Sequence, residues 1–115
     1  MKLLFISILA FFIPSEINAQ IPKSGNYIYS YCDIEYNKCM GKCKIKIKGN
    51  KIWIYAPANL TGIKEGELYE AGTLHKHSSG KWTIINFQVN KSAKPYEGND
   101  LYIWIDFKKK QFWAF

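Results

Sequence analysis

A chain of 115 residues with 16 basic and 9 acidic side chains, a net charge of +7, leaves room for one modest domain and no more. All the basic residues are Lys and none is Arg, which speaks against nucleic acid as a partner, because Arg supplies the bidentate phosphate contacts. The positive balance instead favours an acidic protein, an anionic glycan or an envelope surface carrying anionic head groups.

Lys2 is followed by an almost wholly apolar run from Leu3 to Ile13, broken by Pro14, and then by Ser15-Glu16-Ile17-Asn18-Ala19. One positive charge, a short apolar stretch and a small residue before a cut are the parts of a secretory signal peptide. The run is shorter than the ~20 residues that cross a bilayer. Residues 1–19 are therefore read as a signal peptide cleaved after Ala19, and residues 20–115 as a single domain that is secreted or periplasmic. No cysteine follows the cut directly, so no lipid anchor is expected there.

From Asn26 onward apolar and polar residues alternate with period two between turn signals, the pattern of an all-β domain: an antiparallel meander, barrel or sandwich of about seven strands. The first strand is predicted over Asn26–Cys32, with a loop over Asp33–Lys42. A second strand, Cys43–Lys48, is joined by a Gly49-Asn50 hairpin turn to a third, Lys51–Tyr55. A fourth covers about Glu67–His75, with Gly72 marking a bulge. The fifth spans Lys81–Gln88, the longest loop residues 89–100, the sixth Leu101–Phe107 and the last Gln111–Phe115. Asn59-Leu60-Thr61 fits the glycosylation pattern and reads as exposed loop.

The Gly49-Asn50 turn pairs Ile47 with Ile52, Lys46 with Trp53 and Lys44 with Tyr55. With Cys32 placed opposite Cys43, Ile28, Ser30, Cys32, Cys43, Ile45, Ile47, Ile52 and Ile54 fall on one face, which reads as core. Tyr27, Tyr29, Tyr31, Lys44, Lys46, Lys48, Trp53 and Tyr55 fall on the other. That second face, aromatic rings among ammonium groups, is the candidate binding surface for an anionic or ring-stacking partner. In the sixth strand Leu101, Ile103, Ile105 and Phe107 read as core, and Tyr102, Trp104 and Asp106 as the outer row.

The same register predicts a Cys32–Cys43 disulfide, with Cys39 free. The cysteine spacing lacks the paired element of a zinc site, and neither a metal nor a cofactor is expected. His75 and His77 would project from one face if the strand reached them, but no third ligand is fixed by sequence; exposed turn histidines are the expectation. Ser78 and Ser79 adjoin His77 without the strand–elbow–helix setting of a nucleophile. The favoured function is a small, basic, non-catalytic binding or inhibitor module. The alternatives are a secreted nuclease-like hydrolase using Glu67 or Glu70 with His75, and an envelope-associated structural protein.

Overall fold

The structure, a computed structural model, describes residues 20–88, 97, 98 and 100–115. The expected signal peptide and most of the expected loop over 89–100 lie outside the described residues. Among those residues there are seven strands and no helix: β1 (Gly25–Asp33), β2 (Lys38–Lys48), β3 (Lys51–Tyr55), β4 (Leu68–Lys76), β5 (Trp82–Asn86), β6 (Ile103–Asp106) and β7 (Gln111–Ala114). They form a closed barrel in sequence order. Consecutive strands pair antiparallel, and β1 pairs with β7 in parallel. This follows from the odd count: in a meander of seven, the first and last strands run the same way, so the closing seam must be parallel. The seam is held at Ser30↔Gln111, Tyr31↔Phe112, Cys32↔Trp113 and Asp33↔Ala114. The β5–β6 junction is the thinnest, with Trp82↔Ile105 its one paired position.

The Gly49-Asn50 turn sets β2 against β3 in the expected register, Lys44↔Tyr55 through Lys48↔Lys51. Ile45, Ile47, Ile52 and Ile54 consequently point inward and are buried, together with Leu74, Ile84, Ile105, Phe107 and Phe112. The interior is filled by side chains, as in other small barrels. An apolar interior with lysines outside is the reverse of the lipid-facing pattern of transmembrane barrels. No helix among the described residues is long and apolar enough to cross a membrane.

The register of β1 differs from the expectation. In place of a loop over residues 33–42, the chain turns tightly at residues 34–37. Asp33 Oδ1 accepts the backbone N–H groups of Glu35 (2.7 Å) and Tyr36 (3.2 Å), an Asx turn, and Asn37 closes it with φ of 51°. Asp33 then pairs with Lys38 and Cys32 with Cys39. Next, Met40 and Gly41 together oppose Tyr31, a β-bulge that Gly41 permits by taking φ of +82°. Beyond the bulge the partners are Ser30↔Lys42, Tyr29↔Cys43 and Ile28↔Lys44.

That register is an odd number of residues from the Cys32-opposite-Cys43 pairing, so β1 is turned over. Tyr29 and Tyr31 are core residues at 2% and 6% exposure, and Ile28, expected inside, is 63% exposed. The disulfide is correspondingly Cys32–Cys39, not Cys32–Cys43. Cys43 is the free, buried thiol and donates to the Tyr29 carbonyl at 3.5 Å.

Gly72 does not mark a bulge. It pairs regularly with Ile52 and Asn86, and the irregularity in β4 lies between its Leu68 and Glu70 positions. Gly72 is needed instead for a close approach, since a Cβ there would meet the Ile85 carbonyl oxygen at 2.1 Å.

Candidate functional site

β2 carries five lysines; from Lys42 on they alternate with the buried Cys43, Ile45 and Ile47, and Lys42, Lys44, Lys46 and Lys48 are all exposed. Across β3, Lys44 lies opposite Tyr55 and Lys46 opposite Trp53. The Lys46 ammonium stands 5.4 Å from the centre of the Trp53 ring, within cation–π range. Phe87 packs on Trp53 at 5.8 Å. No lysine among the described residues is in an ion pair. Lys42 donates to the Ser30 hydroxyl at 3.2 Å.

Of the eight residues that sequence assigns to one surface, Lys44, Lys46, Lys48, Trp53 and Tyr55 do share the outer face. Tyr29 and Tyr31 are inside the barrel, and Tyr27 is half-buried against the core. The Tyr27 hydroxyl donates to the Lys23 carbonyl. The Tyr31 and Tyr69 hydroxyls share a hydrogen bond of 3.1 Å. Burial first, then the nearby Tyr27 and Asp106, push the Tyr29 phenol up to about 12. Burial and the Tyr69 hydrogen bond hold Tyr31 higher still. These phenols therefore serve packing.

The reversal of β1 puts other residues on the face. Ile28 lies opposite Lys44, Lys44 opposite Tyr55, and Tyr55 opposite Leu68, a single row across four strands. Ile28 and Leu68 are both more than half exposed, and Phe87 is 42% exposed beside Trp53. Two shallow depressions meet at Ile28, Lys44 and Tyr55. Leu68 and Phe87 carry no signal in sequence beyond being apolar; Ile28 was hidden by the bulge.

The histidines do not point separately into solvent. His77 is buried at 4% exposure, and both rings meet Glu97: His75 Nε2 is 2.7 Å from one carboxylate oxygen and His77 Nε2 3.6 Å from the other. The Ser78 N–H also donates to Glu97 at 3.0 Å. The His75 and Ser78 hydrogen bonds lower the Glu97 carboxyl from its usual range to about 2. The carboxylates expected there are elsewhere: Glu67 accepts the Lys64 N–H at 2.8 Å and Glu70 accepts from the Asn86 amide at 2.7 Å.

His77 Nδ1 accepts the Ser79 N–H at 3.0 Å and lies 2.8 Å from the Ser79 hydroxyl; Nε2 donates to the Gly98 carbonyl at 2.9 Å. Both ring nitrogens are thus committed to protein partners, fixing the Nε2–H tautomer. The His77 carbonyl accepts the Gly80 N–H, and its own N–H donates to the Lys81 carbonyl, each at 2.8 Å. The cluster closes the β4–β5 turn and fastens residues 97 and 98 to it. No group of three metal-ligating side chains suited to an ion occurs among the described residues.

A second aromatic surface lies on β6 and β7. Trp104 and Trp113 stack at 5.8 Å with an interplanar angle of 20°, Lys81 sits 3.8 Å over Trp104, and Tyr102 packs on Phe115. The outer row Tyr102, Trp104 and Asp106 was legible from alternation in the sixth strand; its pairing with β7 was not. Compared with protein-family models, with curated proteins and with solved structures, the chain matches none.

Proposed function

We propose that this chain is an exported, non-catalytic binding module that holds an anionic partner on the outer face of β2 and β3. The observation that carries the reading is the row of exposed lysines on β2, none of them neutralised by a carboxylate. A carboxylate opposite each lysine would stabilise the sheet and cancel the charge; Lys44, Lys46 and Lys48 instead oppose Tyr55, Trp53 and Lys51. The uncompensated field attracts negative charge over about 10 Å at 0.1 M salt, and Trp53 and Tyr55 give the ligand something to pack on. The Cys32–Cys39 disulfide suits the oxidising compartment to which residues 1–19 would deliver the chain.

The test is retention on polyaspartate and on heparin as a function of NaCl. Lys44→Gln, Lys46→Gln and Lys48→Gln combined should weaken retention and flatten its salt dependence. Trp53→Ala should weaken it at an unchanged salt slope. A triple variant held as tightly as the parent would refute the assignment.

A second reading, hydrolysis, is favoured by one contact, Ser79 Oγ against His77 Nδ1 at 2.8 Å with Glu97 beyond the ring. It is the weaker reading, because Nδ1, the nitrogen that would take the hydroxyl proton, already accepts the Ser79 backbone N–H within the turn, and the ring is buried. Ester or phosphodiester hydrolysis that Ser79→Ala abolishes would establish it.

A further inference from the structure

We infer that the anionic partner is a lipid bilayer surface, seated on the outer face of β1–β4; this rests on the binding reading above and narrows it. The face carries two kinds of group side by side. Lys44, Lys46 and Lys48 supply positive charge, and Lys42 and Lys51 extend it at either end. To either side of this column stand Ile28 on β1 and Leu68 on β4, with Phe87 just past β5 against Trp53; these are among the exposed large apolar side chains of the described residues, and Tyr55 and Trp53 lie half-buried in the same rows. One exposed apolar side chain on a domain surface is ordinary; three on one face, flanking a column of cations, are not.

The chemistry matches the three layers of a bilayer interface. Ile, Leu and Phe protruding from a convex wall can enter the acyl boundary. Trp and Tyr rings favour the head-group level. Lysine stems lie along apolar surface while the ammonium groups reach anionic phosphates. A protein or glycan partner would call for directional groups. The face has no Arg fork; its directional groups are few, Asn26 opposite Lys46 and the Tyr55 hydroxyl, and the hydroxyl of Ser30 is already engaged by Lys42. Glu65 borders the face near Lys42 and Lys44 without pairing to either, so the net field remains positive.

The experiment is flotation of the exported protein with vesicles of phosphatidylcholine alone or with one-third phosphatidylglycerol, after intact mass has verified that the apolar leader is absent. The parent should float with the anionic vesicles and not with the neutral ones. The triple Lys→Gln variant should lose about a hundredfold in affinity. Ile28→Ser with Leu68→Ser should lose at least about tenfold, yet keep the parent's retention on polyaspartate. All five changes are on exposed side chains and leave the barrel core untouched. Protein that binds polyaspartate but no vesicle would overturn the lipid assignment and leave an acidic protein or glycan as the partner. Equal vesicle binding by the Ile28/Leu68 variant would overturn it as well, since charge alone would then suffice. Failure on polyaspartate and vesicles alike would refute the binding reading itself.

Discussion

Replacing Gly72 by Ala separates two opposing effects of known sign. The residue sits in mid-strand without a positive φ, so Ala costs no backbone strain and restricts the unfolded chain, a gain of about 0.4–1 kcal/mol. The new Cβ would lie 2.1 Å from the Ile85 carbonyl oxygen, 2.6 Å from its carbon and 2.8 Å from Ile84 Cγ2. Carbon and oxygen meet without repulsion only beyond roughly 3.3 Å, so β5 must retreat by about 1 Å. The two nearest atoms are backbone, and no rotamer relieves them. Retreat disturbs Gly72↔Asn86 and Thr73↔Ile85 and pulls on the β5–β6 junction, which has one paired position to give. Overpacking costs about 1–3 kcal/mol, and one or two weakened ladder hydrogen bonds add about 1 kcal/mol each. The net loss should be about 3 kcal/mol, or a fall of roughly 12–24 °C in Tm. Urea unfolding of oxidised protein should show a lower midpoint at an unchanged slope. A Gly72→Ala variant as stable as the parent would mean that β4 and β5 do not approach as described.

Tyr29→Ala should cost about 3–5 kcal/mol, whereas Ile28→Ala should fall within about 0.5 kcal/mol of the parent; the reverse order in thermal unfolding would restore the Cys32-opposite-Cys43 register. Non-reducing peptide mapping should recover Cys32 joined to Cys39. Cys43 should resist iodoacetamide until the barrel is unfolded, because burial raises its thiol to about 11. The pH dependence has two windows. Glu97 is lowered to about 2, so its stabilisation is present above its ordinary value near 4.5 and is lost as pH falls towards 2; the Tm gap between parent and Glu97→Gln should close over that range. Cys43 and Tyr29 are raised, to about 11 and about 12, so their stabilisation is complete below pH 9 and disappears as pH rises to 12, which a Tm series in alkaline buffer measures.

The hairpin of β2 and β3 was legible because everything that determines it is local: Gly49-Asn50 sets the register, and four alternating Ile identify the inner face. The outer row of β6 followed from the same alternation. β1 was misread for a reason equally local but quieter. Asp33 and Asn37 frame a tight turn, and Gly41 interrupts a run that otherwise looks like a loop, yet one extra residue there reverses the β1 side chains that precede Cys32, which itself stays buried. Tyr and Ile are both acceptable in a core, so composition offered no correction. Lys44, Lys46, Lys48, Trp53 and Tyr55 were found because they depend on β2 and β3 alone; Tyr29 and Tyr31 were lost because they depend on the bulge. Glu97 reaches His75 from 22 residues away and His77 from nearly as far, with no periodicity to announce it.

The parallel seam between β1 and β7 has a kinetic consequence. Its partners, Ser30 with Gln111 and Asp33 with Ala114, are separated by nearly the whole domain, so closure is the contact of highest order and should come late in folding. Until Gln111–Ala114 has emerged, β1 is an open strand edge bearing Tyr29 and Tyr31, a template for association with other chains. The Cys32–Cys39 bridge, by contrast, joins residues only seven apart, so it can form before closure and hold the β1–β2 hairpin in register while it waits for β7.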